Sequence, residues 1–485
     1  MNEEKSCPLI LNFCFLPFED ATMEQPNLEK HESGLLRRLG PGTAFLLVVS
    51  SMVGSGVFKK VAPMAHDTGS SFWILLCWIL AGLVSWFGAL SNAEVAAQIA
   101  EPGGQYQYFR KIFGKPLAFL YGWTGFAVVQ SATAASVSYV FAESVNTLIG
   151  LPEISFWGIE NLSVKLLTVA VLWAITTVNL FGVEQGQKIN NILTSLVIIA
   201  IIGITIMCFT MGKGNFSHFA QTESNGNFPG FGAIFLGMMS AFWAYEGWNN
   251  LGFLAGEIKN PTRNVPLSLA GGVGFVMLMY VAINASYLYV FPVTEFSRIY
   301  DEGNSIAAVE VIRSFLGPAG SAVILIVIMV ATFGSANNTL MSAARVYFAM
   351  ARDGIFFRKA AHCDPVYNVP TYALLFQAIW ASVLVFSGSF DQLTDMLIFA
   401  AFIFYGLGAV GLFVLRKRNA GLTRSFSVPG YPFVPGLFIL FSIGLVINSI
   451  LEKPMESATG LLLMFSGIPF YFYWTKMQGK SGTEN

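Results

Sequence analysis

The chain has 485 residues, of which 54% are hydrophobic and 11% are charged, and its formal net charge is −1. Soluble domains carry about 25% charged residues, so the composition excludes an ordinary soluble protein, and the near-neutral charge argues against a nucleic-acid partner. Apolar runs of about 20 residues, the length that crosses a bilayer, recur along the chain. The sequence therefore predicts an all-α polytopic membrane protein.

The first residues differ in character from the tail that follows them. The apolar run from Cys7 to Phe18 is too short to cross a membrane and lacks the basic start of a signal peptide. A polar tail begins at Met23, which favours Met23 as the true start and places residues 1–22 outside the true product. We expect residues 1–40 to form the N-terminal tail.

Hydropathy predicts twelve membrane spans and places both chain ends on the same side of the membrane. When alternate loops are assigned to one side, 20 of the 27 Lys and Arg residues lie on the side of the termini. Because positive residues favour the cytoplasmic side, both termini are predicted to be cytoplasmic, in a cell (inner or plasma) membrane. The predicted spans are 42–66, 71–99, 116–149, 164–181, 187–211, 230–258, 266–292, 318–352, 371–388, 391–415, 431–451 and 456–475.

The first span is interrupted by Gly54-Ser55-Gly56. Glycine is a poor helix former, and an unwound backbone is tolerated at membrane depth only where protein or a cavity satisfies its polar groups. Small residues also let membrane helices approach closely. This stretch therefore predicts either a helix-packing patch or a helix break that lines a site.

The sixth span contains a second interruption, at residues 243–250, which include a glycine, two asparagines and Glu246. Interrupted helices at corresponding positions of two halves point to the substrate site of a transporter. The spacing of five spans predicts two inverted five-helix repeats, at about 41–211 and 230–415. They would form a transporter core over 41–415, in which the helices of the first and sixth spans (helices 1 and 6 of the predicted twelve) are broken. Residues 416–475 would add two C-terminal helices, and residues 476–485 a cytoplasmic tail.

The two breaks together predict a receptor for a zwitterion. The half-helix that starts near Gly56 presents N–H groups that favour a carboxylate, and the half-helix that ends near Trp243 presents carbonyls that accept from an ammonium group. An α-amino acid held by its backbone has both groups. The candidate substrate-binding residues are Met52, Val53, Gly54, Ser55, Gly56, Trp243, Ala244, Tyr245, Glu246, Gly247 and Asn249.

Two of these residues have further candidate roles. Trp243 either packs in the core or acts as an aromatic gate beside the site, and the adjacent break favours the gate. An acid at mid-membrane is functional by default, so Glu246 is a candidate for contact with a substrate cation or for proton coupling. Alternatively, Glu246 ties the unwound turn together. Glu94, near a span end, is expected to pair or cap, and polar residues at 332–339 are expected to join helices.

Cofactor and catalytic motifs are absent from the sequence. The five cysteines have no CxxC or metal-ligand spacing, and the four histidines lie in tails, loops or helix ends. Walker, HExxH and GxSxG motifs do not occur. The sequence therefore predicts no cofactor, no metal and no enzyme activity.

Several stretches of the sequence resemble the amino acid–polyamine–organocation superfamily, and more narrowly its L-type amino acid transporter branch of light-subunit-like exchangers. The resemblance implies a twelve-helix, leucine-transporter-like fold with a five-plus-five inverted repeat and alternating access. It also implies that residues 52–56 and 243–246 hold the substrate backbone and that Trp243 is the gating aromatic. The similar stretches are Gly54-Ser55-Gly56-Val57-Phe58, residues 92–109, residues 243–249 with 257–266, and residues 342–354.

Three positions depart from the family pattern. Val197 stands where many members carry a lysine in helix five, the loop 150–164 has no cysteine to link a heavy chain, and Glu246 replaces a common glycine. The expected function is sodium-independent exchange of neutral L-amino acids, with no disulfide-linked heavy chain. The alternatives are proton-coupled amino acid symport, transport of cationic amino acids or amines through Glu246, and, more remotely, a transport-inactive amino acid receptor.

Overall fold

The computed structural model describes residues 39–99, 101, 103–155, 160–222, 228–303, 305–419 and 424–481. The interpretation of residues 1–22 lies outside this range, as does nearly all of the predicted N-terminal tail. In the described residues the structure is helical. The extended pairings there are two isolated bridges, Leu39 with Ile258 and Ser70 with Thr222.

The α-helices follow the apolar runs of the sequence. They are α1 Pro41–Met52, α2 Gly56–Lys59, α3 Val61–Thr68, α4 Ser71–Gln98, α5 Gln105–Phe113, α6 Lys115–Thr124, α7 Gln130–Ile149, α8 Leu162–Leu180, α9 Val183–Met211, α10 Phe231–Tyr245, α11 Asn250–Phe253, α12 Pro261–Val290, α13 Val293–Asp301, α14 Ala307–Arg352, α15 Thr371–Ser387, α16 Phe390–Arg418, α17 Phe433–Glu452, α18 Pro454–Phe465 and α19 Gly467–Ser481. A π-helical turn, Gly125–Val129, joins α6 to α7, and 3₁₀ turns cover Phe216–Ala220, Ala255–Glu257 and Arg358–Ala361.

Each predicted span corresponds to one helix or to helices in series. The first span comprises α1, α2 and α3, the sixth comprises α10 and α11, and the last comprises α18 and α19. In the described part of the chain, eight helices are long and apolar enough to cross a membrane, and α1 and α15 are shorter apolar helices. The all-α polytopic fold is therefore confirmed, and a total of twelve crossings stays a prediction.

The eighth span lies in a helix that has two parts, and the predicted start at residue 318 coincides with the start of the second part. Helix α14 runs from Ala307, whereas the predicted span starts at residue 318. A kink at Gly317, whose φ is 64°, separates the two parts, and Pro318 follows it. Because proline lacks an N–H group and clashes with the preceding turn, a bend here lets the chain continue as a second helix at another angle.

The interrupted helices lie in the centre of the bundle. Helix α1 packs against α9, α12 and α14, and α10 packs against α4, α16 and α17. The residues of both interruptions are buried. The surrounding helices therefore supply the polar partners that an unwound backbone needs at this depth.

A buried ion pair joins the C-terminal helices to this bundle. Glu94, at the end of α4, has no solvent exposure and accepts hydrogen bonds from Arg416 Nε at 2.8 Å and Nη2 at 2.6 Å. The backbone N–H of Val428 donates to the same carboxylate at 2.7 Å. The expectation that Glu94 pairs is confirmed, and the pair fixes the segment before α17 to α4 and α16.

Candidate functional site

The first interruption spans the three residues between α1 and α2. Val53 has φ −76° and ψ 84°, outside the helical region, and the N–H of Gly54 donates to the carbonyl of Met52 at 2.8 Å. The helix resumes at Gly56 after Ser55. The predicted break is therefore present, and α2 starts at the predicted residue.

The second interruption lies slightly further along the chain than the sequence indicates. Helix α10 continues to Tyr245 rather than ending near Trp243, and Glu246 is extended, with ψ 148°. Gly247 follows with φ +104°, a conformation that side chains other than glycine rarely adopt. The chain unwinds at this glycine, which places the break over residues 246–249.

Two glycines bring the interruptions against each other. A Cβ atom on Gly56 would lie 2.5 Å from the Cα atom of Ala244, and one on Gly247 would lie 2.5 Å from the carbonyl oxygen of Ser51. Neither distance leaves room for a side chain. Residues 54–56 are thus both a helix break and a close-packing surface, so the two interpretations of the sequence apply together.

Tyr280 on α12 braces both interruptions from one side. Its buried hydroxyl lies 2.8 Å from the carbonyl oxygen of Met52 and 3.1 Å from that of Ala244. One proton is shared between two carbonyl acceptors, one at the end of each interrupted helix, and the Met52 carbonyl also accepts from the Gly54 N–H. Tyr280 was not among the residues predicted from the sequence, although a tyrosine in mid-span is a signal because its hydroxyl needs a partner when buried.

We expect Tyr280→Phe to lower the maximal transport rate about tenfold. The change leaves the buried Ala244 carbonyl without its hydroxyl donor and leaves the Met52 carbonyl with the Gly54 N–H alone, and a buried acceptor left unsatisfied costs about 1–3 kcal/mol. The measurement is initial uptake into proteoliposomes, normalised to reconstituted protein. Tyr287→Phe, on the same helix, is the matched control, because the buried Tyr287 hydroxyl has no partner in the described structure. Equal loss in both variants would contradict a role for the brace.

Uncharged side chains also hold the end of α1. The hydroxyl of Ser335 donates to the carbonyl of Ser51 at 3.4 Å, and Asn190 Nδ2 donates to Ser50 Oγ at 2.9 Å. The amide of Asn338 donates to the same serine oxygen. The prediction that residues 332–339 join helices through polar contacts is confirmed.

Val197 lies beside this network. Its buried side chain lines a small cavity of about 10 Å³ next to the first interruption. An apolar side chain thus faces this cavity. The cavity is lined by Ser50, Val53, Thr194, Val197, Val330, Ala331 and Gly334.

Glu246 is buried, with 6% of its surface exposed. The hydroxyl of Tyr405 on α16 donates to its Oε1 atom at 2.6 Å. In the described part of the chain no Lys, Arg or His side chain forms an ion pair with it. The backbone N–H of Gly247 in the unwound turn also donates to this carboxyl group. Uncharged donors thus hold the group, which leaves it available to a cation or a proton.

A second small cavity, of about 20 Å³, adjoins this pair. The buried Asn249 reaches it and donates to Gln105 Oε1 at 3.1 Å, while the Oδ1 atom of Asn249 has no partner in the described residues. The π-helical turn at 125–129 forms one wall, and such turns occur frequently at functional sites. The lining residues are Tyr121, Thr124, Gly125, Val129, Gln130, Asn249, Ala401, Phe404 and Tyr405.

The aromatic residues of the second interruption point in different directions. Trp243 is buried and meets the ring of Phe390 edge-on, with 5.7 Å between centroids. Tyr245 instead donates to the carbonyl of Trp78 on α4 at 3.1 Å, and Trp248 packs on Tyr405 at 5.0 Å. Trp243 therefore lies on the α16 side, whereas Tyr245 serves helix packing.

The structure brings the remaining predicted residues to the same place. Met52 contributes its carbonyl, Val53 lines the smaller cavity, and Ser55 is buried with a hydroxyl that has no partner in the described residues. Among the described residues, no group of three or more His, Cys, Asp or Glu side chains is arranged to hold a metal.

Sequence comparison identifies known proteins to which this chain is similar. The family model for amino acid permeases matches residues 39–473. The serine/threonine exchanger SteT of Bacillus subtilis (strain 168) is 30% identical over 447 residues, which cover 92% of this chain and 98% of SteT. The b(0,+)-type amino acid transporter 1 of Mus musculus is 31% identical over 92% of this chain and 89% of its own length. The cystine/glutamate transporter of Homo sapiens is 27% identical over 93% and 87%.

Proposed function

Because the chain belongs to the amino acid permease family and is a multi-pass membrane transporter of amino acids rather than an enzyme, we propose that it exchanges neutral L-amino acids without sodium, by alternating access. The observation that carries the proposal is the contact between two interrupted helices at Gly56 and Ala244. Two backbone breaks that meet inside a bundle form a site for groups that every amino acid shares.

The substrate backbone is proposed to lie across the two interruptions. The N–H groups at the start of α2 have no preceding turn to bond, and they favour the substrate carboxylate. Carbonyls at the end of α10 accept from its ammonium group. The proposed substrate-binding residues are those predicted from the sequence, Met52, Val53, Gly54, Ser55, Gly56, Trp243, Ala244, Tyr245, Glu246, Gly247 and Asn249, with Trp243 as the gate.

Sodium independence is supported by the donors around the first interruption. The carbonyls of Ser51 and Met52 accept from the hydroxyls of Ser335 and Tyr280. Carbonyl oxygens that already have neutral donors are poor candidates to coordinate a sodium ion. The apolar Val197 adds no ligand on the same side.

A second candidate is transport of cationic amino acids or amines, or proton coupling, through Glu246. The observation that favours it is a buried carboxyl group that has uncharged hydrogen-bond partners, the Tyr405 hydroxyl and the Gly247 backbone, and no ion pair in the described residues. The adjoining cavity is also lined by Gln130 and Asn249, whose buried amide oxygens have no partner in the described residues. These acceptors suit a substrate side chain that donates hydrogen bonds.

The matched interruptions support two inverted repeats, at about 41–211 and 230–415, followed by the additional helices within 416–475. We also propose a location in the plasma or inner membrane with both termini cytoplasmic, on the basis of the Lys and Arg distribution. No disulfide-linked heavy chain is proposed, because the loop 150–164 contains no cysteine.

Exchange in proteoliposomes tests the proposal. Vesicles that contain the purified protein are loaded with an unlabelled amino acid and given labelled amino acids, one at a time, in sodium or potassium buffer. We expect uptake of neutral amino acids that requires internal substrate and is equal in the two buffers. Uptake at the level of protein-free liposomes for the whole panel would overturn the proposal and favour a transport-inactive receptor. Uptake that needs no internal substrate and acidifies the lumen would favour proton symport.

A further inference from the structure

Two lysines that directly follow the first interruption are almost fully buried. Lys59, the last residue of α2, is 4% exposed, and Lys60 is 2% exposed. Lysine is almost never buried to this degree unless it is paired. Both lie at the end of the first span that is predicted to face outward.

Each lysine has an acidic partner on a different neighbouring helix. Lys59 Nζ lies 2.9 Å and 2.8 Å from the two carboxylate oxygens of Glu143 on α7. Lys60 Nζ lies 2.6 Å from Asp391 Oδ1 and 3.2 Å from Thr394 Oγ1, both on α16. The short helix α2 is thereby tied to α7 by one ion pair and to α16 by the other.

These ion pairs rest on the aromatic layer beside the proposed substrate site. The Nζ atoms of Lys59 and Lys60 lie 5.1 Å and 4.9 Å from the centre of the Phe390 ring. The same ring also meets the indole of Trp243, with 5.7 Å between ring centroids. The Trp243 indole, the Phe390 ring and the two lysine ammonium groups therefore lie in succession from the proposed substrate site toward the outer end of the bundle.

The burial of the partners is unequal. The side chains of Glu143 and Asp391 are 24% and 40% exposed, whereas the lysine side chains are 5% and 2% exposed. A buried lysine that loses its partner leaves an uncompensated charge, which is strongly unfavourable. If α2 moves away from α7 and α16, both ammonium groups gain water and need no partner. The pairs thus stabilise the closed arrangement far more than an open one.

We propose that Lys59–Glu143 and Lys60–Asp391 form an ionic latch that closes the external side of the substrate pathway and sets the balance between outward-closed and outward-open states. The latch holds α2, the helix whose first residues are proposed to bind the substrate carboxylate. It acts on the helix rather than on the substrate, so it goes beyond the proposed function and holds for any substrate.

Electron-spin distance measurements on the full-length protein in nanodiscs test the latch without substrate. Spin labels are placed at His66→Cys on α3 and Ile149→Cys at the end of α7, with the five native cysteines replaced by alanine. Both positions are exposed, and their separation increases when α2 and α3 move outward. We expect Asp391→Asn or Glu143→Gln to raise the ratio of long to short distances at least about tenfold.

Two further variants decide whether charge is the cause. Glu153→Gln changes an exposed acid with no ion pair in the described structure, and it should leave the distances as in the unmodified protein. The double variant Lys60→Met with Asp391→Asn removes the unpaired charge and should recover a large part of the short-distance population. Distances unaffected by Asp391→Asn and Glu143→Gln, or no recovery in the double variant, would overturn the proposal.

Discussion

A methyl group at position 56 is expected to abolish most amino acid exchange, with a loss of at least about tenfold in Gly56→Ala. The added Cβ atom would lie 2.5 Å from both the Cα and Cβ atoms of Ala244 and 3.0 Å from its backbone nitrogen. Overpacking of this kind costs about 1–3 kcal/mol even where side chains relax, and here the obstacle is backbone. The two interruptions must separate, which removes the contact on which the proposed substrate site depends.

Exchange by purified, reconstituted protein measures this effect, with the amount of folded protein determined by size-exclusion chromatography. Gly203→Ala is the matched control, because an added Cβ there meets nothing within 4 Å. Ala244→Gly should not rescue Gly56→Ala, since the clash includes the backbone of residue 244. Near-normal exchange by correctly folded Gly56→Ala protein would show that the two interruptions need not touch.

The sequence predicted the parts of the site that depend on local chain chemistry. Two glycines separated by one serine in an apolar run indicated the first interruption. In the structure, α2 begins at the expected Gly56. The second interruption begins about two residues later than predicted, because α10 continues through Ala244 and Tyr245 instead of ending near Trp243. Helix α10 ends at Tyr245, where the extended Glu246 and the positive φ of Gly247 follow.

The residues that the sequence did not indicate act over long separations. Tyr280 is 228 residues from Met52, and Tyr405 is 159 residues from Glu246. Lys60 and Asp391 are 331 residues apart. In the sequence, Lys60 was only one of the Lys and Arg residues assigned to the outer side of the membrane. Hydropathy and spacing describe one helix at a time, so they give no information on which polar groups meet between helices.

Substitution of Glu246 by glutamine is expected to change substrate range or pH dependence more than the yield of folded protein. The amide has the shape of the carboxyl group, and its oxygen can still accept from the Tyr405 hydroxyl, now 2.6 Å from Oε1. Packing is therefore retained, whereas the charge that would attract a cation or bind a proton is lost. We expect the variant to exchange neutral amino acids at a rate within about threefold of normal. Any uptake of cationic amino acids, and any proton-coupled component of uptake, should fall at least about tenfold, because hydrogen bonds to charged groups contribute about 1.5–3 kcal/mol.

The measurement is uptake of neutral and cationic amino acids between pH 5.5 and 8 in the same vesicles. Tyr405→Phe is the complementary variant, since it keeps the Glu246 carboxyl group and removes only the Tyr405 hydroxyl that donates to it. If Glu246 acts through its charge, Glu246→Gln changes the substrate range or the pH profile, while Tyr405→Phe retains both. If Glu246 only ties the unwound turn together, both variants lower the yield of folded protein and leave the pH profile and substrate range of the remainder unchanged. The pair of variants thus separates a carboxyl group that meets the substrate from one that only holds the chain.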